Sequence, residues 1–336
     1  MEKIRVWVGL DYHQRRTQVC VVDEQGAVLC NRSVPSQIGE ITRAVGPLGR
    51  PACVAIESCS GAAQLAHELI EQAGLPARLT HPGYVNRMRH NPDKSDLSDA
   101  RLLAELARSG FLPEVWLAPE PIRDLRCLTQ RRVQLVQQRR QAKVRILALL
   151  RERRVAEPPL SRWTRAWMAW LIEADLNPTV RWIIDGLLAD LGGLGEQIRA
   201  VEARLDEQTA GDRVVERLRS IRGIGPVTAW MLRADIGRFD RFRTGKQLSR
   251  YCGLSPRNAS SGERVADAGL VKAGRGALRT VLIQSAHRLC RYDERWRRLF
   301  ESMRERGKPT SVAVAAVANR WVRWLFHRMN EQPAAA

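Results

Sequence analysis

A chain of 336 residues is long enough for two or three domains, and 44% hydrophobic with 27% charged residues is ordinary for a globular protein with a core. Lys and Arg number 55 against 36 Asp and Glu, a net charge of +19 that calls for a polyanionic partner, either nucleic acid or an anionic membrane surface. No apolar run reaches the roughly 18 residues of a membrane span, the N-terminus lacks a basic-then-apolar leader pattern, and the seven scattered cysteines form no CxxC pair. Membrane, secreted and zinc-site readings are thereby set aside. Reduced thiols, a cytoplasmic setting and a nucleic-acid partner are expected.

Residues 5–10, 17–22 and 27–34 read as three short strands, with Asp23-Glu24-Gln25-Gly26 as turn chemistry between the last two. A helix over 38–45 ends at Gly46-Pro47. Residues 52–56 form a buried strand, 62–73 a helix stopped by Gly74, and 77–80 one more strand. After a loop over 81–93, Ser95 is placed as the N-cap of a helix running to about Arg108. The order βββαβαβα predicts a mixed sheet with helices on its faces, as in the ribonuclease-H-like fold.

From 120 to 154 the apolar residues take helical spacing, with Arg and Gln between them. A long amphipathic helix or a helical hairpin is expected, serving as a coiled-coil arm or as a basic helix lying on nucleic acid. Trp163, Trp167 and Trp170 fall on one helix face, which favours packing over base stacking. A second helical segment over 180–209 returns the chain. Beyond Val214 a short-helix domain begins, and its last helix spans 312–327. The domains are therefore drawn at 1–118, 119–210 and 211–330. Charge follows the division: residues 211–336 carry 26 Lys and Arg against 11 Asp and Glu, and 121–150 carry 8 against 1.

Four acids stand out. Asp11 and Glu57 each end a predicted apolar strand, where a side chain projects from the sheet edge. Asp96 and Asp99 lie three apart at a helix start, on one face. Taken singly, Asp96 is explained as a helix-start acid and Asp99 as a solvent-facing one. Together the four form a set of oxygen ligands suited to Mg²⁺ or Mn²⁺ and not to zinc, and without a cation their mutual repulsion would destabilise the fold. Gly223-Ile224-Gly225, beside Arg222, is either a plain connection between helices or a turn presenting backbone N–H groups to a phosphate. Residues 253–263 read as a loop, in which spacing alone makes a nucleophile of neither Ser260 nor Ser261. Lys272, Arg275 and Arg279 nearby suit phosphate oxygens.

These segments resemble the IS-one-ten family of insertion-sequence transposases. VGLD at 8–11, AIES at 55–58 and NPDKSDLSDARLLAEL at 91–106 are similar to its DEDD carboxylate motifs. The stretch from RSIRGIGPVTAW through KAGRGALRTVL is similar to its C-terminal transposase domain. The resemblance covers almost the whole chain in order. It implies a RuvC-like N-terminal domain, a coiled-coil middle, a mostly α C-terminal domain and Mg²⁺. It further implies a catalytic serine before a glycine, which falls on Ser261, with Ser260 as the alternative. Homo-oligomers that share active sites, double-stranded DNA as donor and target, and a structured non-coding guide RNA complete the expectation. This chain departs from the family at His13-Gln14-Arg15, where a Lys or Ser often follows the first Asp.

Three functions are therefore weighed. The first is a recombinase that attacks a phosphodiester through Ser261 and keeps the bond energy as phosphoserine. The second is a junction nuclease using the same carboxylates with water. The third is a binding protein that needs only the basic surface.

Overall fold

The computed structural model describes residues 4–88, 95–258, 267–271 and 274–331. The chain divides into two compact units, Met1–Pro119 and Glu120–Ala336.

In the first unit, β1 (Arg5–Tyr12), β2 (Arg16–Val22) and β3 (Val28–Pro35) form an antiparallel meander. Then follow α1 (Ile38–Val45), β4 (Arg50–Glu57), α2 (Ala62–Ala73), β5 (Ala77–Thr80), α3 (Pro82–Met88), α4 (Asp96–Arg108) and β6 (Glu114–Val115). The sheet order is β3-β2-β1-β4-β5-β6. β4 runs parallel to β1, β5 runs parallel to β4, and β6 closes the edge antiparallel. Strand alternation sorts the side chains between two faces. Val6, Val8 and Leu10 of β1 pack with Val19, Val54 and Ile56 under α1 and α2. The other face is covered by α4. There Ala100 and Ala104 meet Cys20 and Val22, and Leu103 and Leu106 meet Ala55 and Val85.

Gly9 lies on the α4 face. A Cβ there would overlap the Ala100 carbonyl oxygen and lie 2.5 Å from the Ala104 nitrogen, so the helix backbone rests directly on β1. The start of α4 is fixed by a reciprocal cap. Ser95 Oγ accepts from Ser98 N and Ser98 Oγ accepts from Ser95 N, each at 3.2 Å.

The second unit opens with α5 (Glu120–Glu152), α6 (Arg165–Glu173) and α7 (Pro178–Gln208). The 33 residues of α5 form one helix, not a hairpin. It pairs with α7 in antiparallel sense: Ile146 and Leu150 meet Val180 and Ile184 at one end, and Leu125 meets Leu205 at the other. Arg132 bonds Glu202 at 2.7 Å and Arg131 bonds Gln197 at 2.9 Å between these ends. Next come α8 (Arg213–Arg219), α9 (Pro226–Ile236), α10 (Gly245–Tyr251), the pair β7 (Pro256–Asn258) and β8 (Asp267–Leu270), α11 (Gly276–Tyr292), α12 (Glu294–Glu305) and α13 (Thr310–Asn330). Leu232, Leu248, Leu282, Leu289 and Trp321 lie in their common core, and Val133 of α5 packs against it.

Four local expectations change. The loop over 81–93 contains α3, whose first N–H groups are met by His81: its carbonyl accepts from Tyr84 and Val85, and its Nδ1 accepts from Gly83. Pro82-Gly83 reads as a turn in sequence, but Pro is also at home at a first helical position. The loop over 253–263 holds β7, paired with β8, although its Pro and Asn suggest otherwise. Trp163 precedes α6, in the left-handed region at φ 68°, because Thr164 caps the helix by accepting from Trp167 N. Trp163 still packs on Trp167 at 4.8 Å between ring centres, and Trp167 on Trp170 at 5.6 Å. The short edge strand β6 has no clear signal in two residues.

Candidate metal centre

The register that aligns Leu10 with Ile56 sets Asp11 and Glu57 side by side, one residue further along neighbouring parallel strands. Both follow the parity of Gly9 and Ala55, so both belong to the face that α4 covers. Asp96 and Asp99 occupy the first turn of α4. Strand ends and helix start therefore converge on one edge of the sheet.

Asp11 is mostly covered, with 18% of its side chain exposed, whereas 64% of Asp96 is exposed. Asp99 is buried, which rules out the solvent-facing reading. His13 stands between the two aspartates, its Nε2 3.4 Å from Asp11 Oδ2 and 3.7 Å from Asp96 Oδ1. One ligand atom from each of Asp11, His13 and Asp96 lies within 4.8 Å of the others. Glu57 and Asp99 stand outside this tightest trio. Burial pushes the Asp11 carboxyl above its usual range; His13 works against that rise, and Asp96 and Asp99 add to it. Asp99 is thus electrostatically part of the site. Cys59 is raised by burial first and by Glu57 next, with Asp11 contributing, so Glu57 and Asp11 act on the same thiol. Hard oxygen donors clustered with one imidazole, and a carboxylate whose charge the fold resists, fit a divalent cation.

Sequence reasoning missed three residues that build this edge. In sequence, His13 registers only as a departure from a family pattern. Gln18 pairs with Asp11 across β1 and β2, and its Nε2 donates to Asn31 Oδ1 at 2.8 Å. Asn31 Nδ2 in turn donates to the Leu97 carbonyl at 3.1 Å, which ties β2 and β3 to the first turn of α4. A Gln within an otherwise β-branched and apolar run was the available signal for this link.

Comparison with known proteins bears on what such a centre serves. A family model described as transposase, of the DEDD type of IS110 elements, matches residues 8–154, and a second, the transposase IS116/IS110/IS902 family, matches residues 215–301. The transposase for insertion sequence element IS1328 of Yersinia enterocolitica is 30% identical over 70% of this chain and 70% of its own length. The chain belongs to the IS110 transposase family. The transposase for element IS1111A of Coxiella burnetii is 28% identical over 87% of this chain and 79% of its own. A probable family 20 transposase of Pseudomonas aeruginosa is 28% identical over 97% of both. Enzymes of the IS110 family cleave and rejoin DNA, and this chain is one of them.

In this transposase the charge is divided sharply. Residues 1–119 carry 13 Lys and Arg and 13 Asp and Glu, so the remaining 42 and 23 give the second unit the whole excess of 19. Arg222 is exposed. Gly223, at φ 90°, leaves no room for a side chain, since a Cβ would lie 2.7 Å from Leu289; it serves a tight turn packed on α11. Gly225 caps α9 with open space around it. Arg275 donates to the buried carboxylate of Asp235 at 2.7 Å and also to Gln130. Asp235 is itself pushed upward by burial, with Arg275 pulling it down. A cavity of about 620 Å³ opens beside this pair, lined also by Arg126, Arg131 and Tyr251. Arg279 keeps a buried Nη1 without a hydrogen-bond partner among the described residues. Ser260, Ser261 and Lys272 lie outside the described residues. Among the described residues no helix is long and apolar enough to cross a membrane.

Proposed function

We propose that the first unit is a ribonuclease-H/RuvC-like nuclease domain in which Asp11, Glu57, Asp96 and Asp99 hold Mg²⁺ or Mn²⁺ at a DNA phosphodiester. The transposase then recombines double-stranded DNA through Ser261, in the cytoplasm, as a homo-oligomer, with a structured non-coding RNA choosing the sites. The observation that carries the metal reading is the meeting of Asp11 and Asp96 from a strand end and a helix start, with the buried Asp99 adding to the negative field that raises the Asp11 carboxyl. A bound divalent cation supplies positive charge to a phosphate gaining negative charge and eases deprotonation of the nucleophile.

The chain's own residues do the rest. Gly9 and the Ser95–Ser98 cap fix how close the helix carboxylates come to the strand carboxylates. Ser261 Oγ forms a bond to phosphorus while a DNA oxygen leaves, and the phosphoserine keeps the energy for rejoining. Arg222, the Gly223–Gly225 turn, Lys272, Arg275 and Arg279 hold phosphate backbone, a contribution independent of base sequence. The paired α5 and α7 form the helical coiled-coil arm, and residues 211–330 the domain that brings the serine.

Purified transposase incubated with donor and target DNA and RNA from the element tests the reading. Asp11→Asn and Asp96→Asn should each lower strand cleavage by at least about a hundredfold, more than loss of a ligand's outer partner costs, while still folding and unfolding cooperatively. Ser261→Ala should abolish both rejoining and the protein–DNA adduct that survives denaturant. Undiminished cleavage by Ser261→Ala would instead select a nuclease that uses water.

A further inference from the structure

We infer that His13 is a nitrogen ligand of the ion shared by Asp11 and Asp96, and that it biases this transposase towards Mn²⁺ over Mg²⁺. The inference rests on the reading of those aspartates as metal ligands.

His13 lies two residues after Asp11, in the turn that follows β1, and its ring nitrogen sits on the side where Asp11 and Asp96 meet. The placement of His13 is built into the fold. Its N–H donates to the Arg16 carbonyl at 3.2 Å, closing the turn between β1 and β2. Its own carbonyl accepts from Ser36 Oγ at 2.6 Å, and Ser36 Oγ is bonded to Thr17 at 2.8 Å. From that anchored turn the imidazole reaches a point 3.4 Å from one aspartate and 3.7 Å from the other.

Around an ion with bonds of about 2.1 Å, adjacent ligand atoms lie about 3.0 Å apart and opposite ones about 4.2 Å. Separations within 4.8 Å need only small side-chain rotations to meet that geometry, and His13, 59% exposed, is free to make them. The chemistry then decides between metals. Mg²⁺ keeps oxygen ligands and water and gains little from imidazole, whereas nitrogen donors favour the transition ions. A carboxylate-only site lacks the nitrogen part of that preference, and one imidazole adds it.

Mn²⁺ titrated into the full-length protein, followed by pulsed electron paramagnetic resonance, tests the assignment. Wild type should show hyperfine coupling from a directly bonded ¹⁴N, and His13→Gln should lose it. Mn²⁺ affinity should fall by about tenfold or more in that variant, as ligand losses do, while Mg²⁺ affinity, read by competition, changes far less. Bound Mn²⁺ without nitrogen coupling, or coupling that persists in His13→Gln, overturns the inference and leaves the carboxylate site standing. Failure of wild type to bind Mn²⁺ at all overturns both.

Discussion

Asp11 shows how one residue carries the cost of a binding site. Burial is the main force raising its carboxyl above the usual range, and Asp96 and Asp99 reinforce it. A raised acid favours the fold while protonated. Its contribution is fully present below the unfolded value, about 3.9, and is lost as pH rises through the folded one. Metal-free Asp11→Asn should therefore melt higher than wild type at pH 7, and the gap should close as pH falls towards 4. Adding Mn²⁺ at pH 7 should reverse the order, because only wild type keeps all its ligands. Thermal melts in chelator and in Mn²⁺ check each part; an Asn variant that gains nothing at neutral pH would contradict the electrostatic account.

At the scale of elements, the same small substitution should have opposite effects in two places. Gly9 meets the backbone of α4 with no space for a methyl group. Gly9→Ala should cost about 3 kcal/mol, the upper end of overpacking losses, since neither backbone is free to yield. It should also weaken metal binding by moving Asp96 and Asp99 relative to Asp11. Gly193, within α7, has nothing within 4 Å of a Cβ and a helical backbone. Gly193→Ala should stabilise by roughly 0.4–1 kcal/mol through the unfolded chain's lost freedom. Chemical denaturation of both variants, with metal affinity measured alongside, separates the two signs. α7 also shows packing overriding propensity: it stays helical through Gly186, Gly192, Gly193 and Gly195 because its apolar face is buried against α5.

For the whole molecule the decisive quantity is charge. The second unit holds the entire excess of 19, and the first is balanced. Binding of this transposase to DNA should therefore be dominated by counterion release. With about six to ten phosphate contacts, affinity should drop roughly 10³- to 10⁵-fold between 50 and 200 mM salt. Fluorescence anisotropy across that range checks it, and a slope near zero would assign the arginines to internal pairs such as Arg275–Asp235 and Arg132–Glu202 rather than to phosphates.

Sequence by itself determined the first five strands and most of the helix limits drawn from it, because period-2 and period-3.6 burial and the capping residues act locally; Ile38–Val45 and Ala62–Ala73 are legible to the residue, whereas β6, β7 and β8 are not. It also marked the four acids, since carboxylates at the ends of apolar strands need a partner. Only the tertiary structure decided which of them meet. The approach of α4 at Gly9, the relay from Gln18 through Asn31 to Leu97, and the turn that carries His13 to Asp96 are contacts between segments distant in the chain. No local pattern encodes such contacts: they follow from the sheet register and from backbone packing at a residue with no side chain.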